Sequence, residues 1–147
     1  MTKRKFYGGV GTVVTLLFLA IPLSAHHAFT AEYDGSNCAD VKGTLTKLQW
    51  ENPHGYFYVD AKDTSGSVNN WAFEMVSIGW LKRAGTTRED FTDNIGKTVT
   101  VRACMAKSGT KYRGAAETVK LEDGRTITVG TNYERTGGAG GGEGSGN

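Results

Sequence analysis

The chain has 147 residues, with 17 basic and 15 acidic side chains, two cysteines and three histidines. This length is enough for one domain with a single hydrophobic core. The near balance of charge, without a Lys/Arg run or an aromatic–arginine array, gives no indication of nucleic-acid binding.

The first 25 residues have the three parts of a secretory signal peptide. Residues 3–5 are basic, residues 10–23 are mainly apolar, and the small Ala25 provides a cleavage site. The apolar stretch is short for a transmembrane helix, which needs about 20 residues, although an uncleaved anchor is the alternative. We expect cleavage before His26, a periplasmic or secreted mature protein, and no stable membrane insertion afterwards.

The other end of the chain is rich in glycine. Apart from Thr136 and Glu143, residues 136–147 are all Gly, Ala, Ser or Asn. Ordering such a segment costs conformational entropy without burying apolar surface, so we expect a disordered tail. A single β-domain is predicted between the two ends, over residues 26–135.

The two cysteines, Cys38 and Cys104, are interpreted first as a disulfide, because exported proteins fold in an oxidising compartment. The bridge would close a loop of about 65 residues, which contributes about 4 kcal/mol in the chain-entropy model. A two-thiol metal or redox site is the alternative, although the spacing is not C-x-x-C and no histidine is close in sequence.

The predicted β-structure begins with a strand over residues 41–50 whose apolar residues change parity. Such a change requires an extra residue, and we expect a β-bulge near Thr46–Lys47. Residues 52–55, Asn-Pro-His-Gly, form a turn in which Pro53 fixes φ and Gly55 tolerates positive φ. In the next strand, residues 56–61, the inward-facing side chains are Phe57, Val59 and Ala61.

The remaining elements predict a mainly-β fold. They are a strand at 71–75, a short helix capped by Ser77 and ended by Gly85, a capping turn at 87–90, strands at 98–103 and 115–121, and a last strand around Ile127 and Val129. This order is typical of a small OB-like barrel of five to six strands with one or two short helices. An antiparallel sandwich is the alternative.

The histidines His26, His27 and His54 are the candidate metal ligands. Cleavage before His26 would leave a free amine beside two imidazoles, and amine and imidazole nitrogens suit Cu(II) best among divalent first-row metals. Tyr56, Tyr58, Glu74 and Met75 are further candidate contributors that the sequence does not place. In the alternative interpretation the first two histidines are solvated, and His54 only closes its turn through a hydrogen bond.

Aromatic side chains are the second candidate site. Tyr56 and Tyr58 alternate outward on their strand, and with Trp80 they could form a stacking surface for a small ligand, an envelope polymer or a protein partner. Such residues more commonly serve packing. The sequence contains no nucleophile elbow, phosphate loop or dinucleotide motif, so no catalytic residue is assigned.

The motif His26-His27-Ala28-Phe29 directly after the signal, followed by Asn52-Pro53-His54 and the segment Asn70–Met75, resembles a family of short exported bacterial proteins of unknown function. The resemblance covers residues 26–130. It implies a small exported β-domain and carries no established activity.

The leading hypothesis is therefore an exported binding protein that holds copper through its histidines, for carriage or buffering. A non-metal binding module that uses the aromatic surface is the competing hypothesis. A redox enzyme that uses bound copper is a third hypothesis, and the sequence does not decide whether the protein is an enzyme.

Overall fold

The computed structural model describes residues 31–107 and 110–131. These residues form six strands and two short helices, which are β1 (Tyr33–Gln49), β2 (Tyr56–Lys62), β3 (Val68–Glu74), α1 (Ile78–Arg83), α2 (Glu89–Thr92), β4 (Thr98–Ala106), β5 (Arg113–Lys120) and β6 (Thr126–Thr128). The predictions for the signal peptide, for His26 and His27, and for the glycine-rich tail concern residues outside those described. No helix within the described residues is long and apolar enough to cross a membrane.

All six strands belong to one sheet in the order β3-β2-β1-β4-β5-β6. A further parallel pairing joins β3 to β5, so that five strands form a ring in which only β6 takes no part. This join covers three residue pairs, and the ring is not a fully closed barrel. The predicted mainly-β fold of five to six strands with one or two short helices is confirmed, whereas the alternative of two packed sheets is not found among the described residues.

The first strand differs from its prediction in length. It begins at Tyr33, eight residues before the predicted start. The prediction missed this part because residues 34–40 are mainly polar or exposed and show no apolar alternation. From Cys38 to Thr44 it pairs with β4, and from Thr44 to Gln49 it pairs with β2. A single long strand therefore connects the two halves of the ring.

The predicted bulge in β1 is confirmed. The register with β2 shifts between Leu45 and Lys47, which leaves Thr46 as the extra residue, and its hydroxyl donates to the Tyr58 carbonyl at 3.2 Å. The shift allows Leu45 to be fully buried while Leu48 and Trp50, of the other parity, also pack against the core.

The core lies inside the ring. Alternate residues of β2, β3 and β4 point inward, and Phe57 and Phe73 stack there with ring centroids 5.4 Å apart. Helix α2 adds Phe91, whose ring centroid lies 5.2 Å from that of Phe57. Burying a phenylalanine contributes about 1.5–3 kcal/mol, so this trio is a large part of the apolar stabilisation.

Both predicted capping turns are present. The Ser77 hydroxyl accepts from the backbone N–H of Trp80 at the start of α1, and Gly85 follows the helix with φ of 82°. At the second turn Asp90 Oδ2 accepts from the Thr87 backbone N–H at 2.9 Å, while the Thr87 hydroxyl accepts from the Asp90 N–H. This reciprocal pair is a capping box.

The cysteines form the predicted disulfide, and they are directly paired residues of β1 and β4. A second bulge lies beside them in β5, where the register with β4 shifts and Glu117 is the extra residue. The Glu117 carbonyl accepts from the N–H groups of Val129 and Gly130. The bulge allows Ala116 and Val119, which differ in parity, to pair with Ala103 and Val101 of β4 and to be buried with them.

Candidate functional site

The Glu74 carboxylate, at the end of β3, is the centre of the candidate site. Glu74 is paired with Tyr56 across the β2–β3 ladder, and both side chains lie on the opposite face from Phe57 and Phe73. Tyr56 and Glu74 lie on the outer face because side chains alternate between the two faces of a strand with a period of two residues. The parallel join to β5 then brings Arg113 to the same place.

Four side chains converge on this carboxylate. The Tyr33 hydroxyl donates to Oε2 at 2.6 Å, Arg113 Nη2 donates to Oε2 at 3.2 Å, and His54 Nδ1 lies 2.5 Å from Oε1. Tyr56, the cross-strand partner of Glu74, is the fourth neighbour of the carboxylate. These partners come from the starts of β1, β2 and β5 and from the loop between β1 and β2.

The network keeps Glu74 ionised. Burial alone would raise the pKa of this carboxyl, but the hydrogen bonds from Tyr33, His54 and Arg113, with Tyr56 beside them, hold its pKa below the usual 4.5. Hydrogen bonds to the charged form stabilise it, which is the physical cause of the net shift.

The two tyrosines respond in the opposite direction. Burial, with the neighbouring Glu74 charge, raises the pKa of Tyr56 to about 12 and raises the pKa of Tyr33 further. Both phenols therefore remain protonated donors at neutral pH, since ionising either would place a second negative charge beside Glu74.

Arg113 ties this network to the start of the chain that the structure describes. Its Nε donates to the Tyr33 hydroxyl at 3.0 Å, and its Nη2 donates to Glu32 Oε2 at 3.0 Å. Burial would lower the pKa of the guanidinium, but Tyr33 and Glu74 raise it overall. The residues before Tyr33 thus lead directly to the Glu74 site.

The His54 side chain is hydrogen-bonded to Glu74 and is still accessible to solvent. Its side chain is 50% exposed, whereas that of Glu74 is 14% exposed. An ionised carboxylate can only accept, so the proton of a neutral His54 ring resides on Nδ1, and the lone pair is on Nε2. The bond to Glu74 also corrects the alternative interpretation, in which Nδ1 closes the Asn-Pro-His-Gly turn.

Gly55, which follows His54, is buried and does not have positive φ. A Cβ at Gly55 would lie 2.8 Å from Met75 Cε and 3.1 Å from the Gln49 carbonyl. Close packing, and not backbone conformation, therefore requires glycine here, while the preceding Asn52–Pro53 peptide bond is cis.

The predicted aromatic surface of Tyr56, Tyr58 and Trp80 stays a prediction. Tyr56 lies beside Glu74, whereas the Tyr58 hydroxyl donates to Gln49 Oε1 and the Lys47 ammonium lies 5.1 Å from the Tyr58 ring centroid. Trp80 is half-buried and packs against the core. The three residues thus have separate local roles, and only Tyr56 belongs to the Glu74 site.

Two members of the site, Tyr33 and Arg113, were not identified from the sequence. Period-two alternation could have paired Tyr56 with Glu74, which was already named as a candidate contributor. The position of Arg113 depends on the parallel β3–β5 join, for which no local pattern exists. His54 is the only histidine among the described residues, and its approach to His26 or His27 stays a prediction.

The ring and the Glu74 site define a small mainly-β domain with an accessible, carboxylate-held histidine. The chain belongs to a family of unknown function (DUF6152), whose model matches residues 14–116. This confirms the expected membership of an uncharacterised family. No curated protein and no solved structure matches the chain.

Proposed function

We propose that the protein is an exported carrier or buffer of copper that binds Cu(II) through His54 together with His26 and His27. The single observation that carries the proposal is the bond between His54 Nδ1 and Glu74. Metal-binding histidines almost always donate their second ring nitrogen to a carboxylate or carbonyl, which fixes the ring and makes the other nitrogen a better ligand.

The position of Tyr33 supports the participation of the first two histidines. Tyr33 and His54 contact the same carboxylate, and His27 precedes Tyr33 by six residues. A chain of that length spans up to about 20 Å when extended, so the distance permits His26 and His27 to reach His54. Amine and imidazole nitrogens then favour Cu(II) over the other divalent first-row metals.

The disulfide supports an oxidising compartment, which is consistent with export. The alternative, a binding module built on Tyr56, Tyr58 and Trp80, has less support because Trp80 packs against the core and Tyr56 is engaged by Glu74.

The test is a Cu(II) titration of the exported, cleaved protein, after intact mass has established that it begins at His26. The d–d absorption band and the thermal shift report binding. We expect one added alanine before His26 to abolish the tight site and His54→Ala to weaken it, while Glu122→Gln, at an exposed position, has no effect. Tight binding that survives both the extension and His54→Ala contradicts the proposal.

A further inference from the structure

A second group of potential metal ligands lies on three neighbouring strands, away from Glu74. Cys38 of β1, Cys104 of β4 and Glu117 of β5 place one ligand atom each within 4.8 Å of one another. Glu117 Oε1 is 3.8 Å from Cys104 Sγ. The carboxylate lies at this position because the bulge in β5 makes Glu117 the extra residue of the strand.

The group is largely enclosed. Cys104 is fully buried, Glu117 is only 7% exposed, and Cys38 is partly exposed. In the disulfide form the sulfurs carry no charge and are weak ligands. After reduction the two thiols can give up their protons to a metal, and the resulting thiolates, together with the carboxylate, would then present three ligand atoms to one divalent cation.

We propose that reduction of the Cys38–Cys104 disulfide creates a zinc site formed by the two cysteine thiolates and the Glu117 carboxylate. Zn²⁺ takes Cys and carboxylate ligands at about 2.3 Å and about 2.0–2.2 Å in a tetrahedral arrangement, with water able to occupy a fourth position. Once the S–S bond has broken, small side-chain rotations give the separations that this geometry requires.

The reaction needs a dithiol reductant as its second reactant. The reductant gives two electrons to the S–S bond and becomes a disulfide itself, and the two protein thiols release two protons as Zn²⁺ binds. Charge and atoms balance, because Zn²⁺ replaces those two protons. Disulfide and bound zinc therefore exclude each other.

This coupling predicts that free zinc favours the reduced form. Above the dissociation constant, each tenfold increase in free Zn²⁺ makes reduction tenfold more favourable, which raises the midpoint potential by about 30 mV for this two-electron couple. The site is independent of the proposed copper site, since it uses none of the histidines.

The experiment compares Zn²⁺ binding to the oxidised and the phosphine-reduced full-length protein by competition with a chromophoric chelator. Cd²⁺ serves as the spectroscopic probe, because thiolate ligation gives a charge-transfer band in the ultraviolet. We expect a tight site that exists only in the reduced protein. Because even outer-shell partners contribute about 10–100-fold to metal affinity, Glu117→Gln is expected to weaken it by at least about tenfold.

Glu122→Gln, on an exposed residue just after β5, is the matched control and is expected to bind as the wild type does. The proposal is overturned if reduction adds no zinc site, if the cadmium complex lacks the thiolate band, or if Glu117→Gln binds as tightly as Glu122→Gln. It is also overturned if circular dichroism shows that the reduced protein is unfolded to the same extent with and without Zn²⁺.

Discussion

Tyr33 and His54 contact different oxygens of the same carboxylate, that of Glu74. One partner is the first residue of β1, and the other belongs to the loop that follows the end of β1. The two ends of β1 therefore meet at one side chain of β3. The exposed His54 side chain is thus held against a carboxylate of β3.

Glu74→Gln is expected to weaken Cu(II) binding by about 10–100-fold, the usual effect of losing the carboxylate partner of a ligating histidine. The amide keeps the size of the side chain but removes its charge, so His54 Nδ1 loses its ionised acceptor. Titration with a competing chelator measures the change, and Glu122→Gln is the control. Equal affinities of the two variants would show that Glu74 has only a structural role.

Arg113→Met is expected to destabilise the fold by about 1–3 kcal/mol, because it leaves a largely buried carboxylate with one donor fewer. Methionine preserves most of the apolar stem, so the loss reflects the guanidinium. Urea unfolding at neutral pH gives the free energy of unfolding. Lys120→Met, at the exposed other end of β5, should cost much less, and similar losses for the two variants would contradict the interpretation.

Acid stability is expected to depend on Asp90. Burial would raise the pKa of this carboxyl, but hydrogen bonds from Thr87 and Arg125 hold its pKa below the usual 3.8 in the folded protein. The stabilisation it provides is therefore present above 3.8 and is lost as the pH falls through the folded pKa.

Asp90→Asn removes that contribution. The difference in free energy of unfolding between wild type and variant should thus shrink when the pH is lowered from about 6 to about 2.5. Denaturant unfolding at the two pH values measures it, with Asp93→Asn, an exposed neighbour, as the control. A difference that stays constant with pH would exclude Asp90 as the source.

Gly43→Ala should destabilise the protein by about 1–3 kcal/mol or more, since about 1–3 kcal/mol is the usual cost of overpacking. Its Cβ would lie 2.3 Å from the Asp60 carbonyl oxygen, and the ladder between β1 and β2 prevents that backbone from moving aside. Gly79→Ala, in α1, meets only the end of Arg83 and should instead stabilise by about 0.5–1 kcal/mol. Thermal unfolding of both variants checks the opposite signs.

Local alternation of apolar side chains made much of the fold predictable. It located β2, the second half of β3 and the first six residues of β4, and the parity change at Thr46–Lys47 identified the bulge in β1, because burial follows the two-residue period. The first eight residues of β1 were missed, since exposed polar side chains carry no such period. The bulge at Glu117 was missed because the adjacent residues Ala115 and Ala116 are both small and apolar, so the sequence does not show which of them faces inward.

The candidate site was predictable only in part. His54 and Glu74 were named from their chemistry, and the phase of Tyr56 was available from its strand. Arg113 depends on a parallel pairing between segments about forty residues apart, and Tyr33 depends on the length of β1. Such long-range pairings are set by ring closure, and no short sequence window contains that information.

The length of β1 has a consequence for folding. Its 17 residues would extend over about 55 Å in a straight strand, yet residues at and just beyond its two ends meet at one carboxylate. They can meet only when the strand curves around the completed ring. The contact between Tyr33 and Glu74, which joins the start of β1 to the end of β3, is therefore a local reporter of ring closure, and the nuclear magnetic resonance signal of the Tyr33 ring would follow that step of folding.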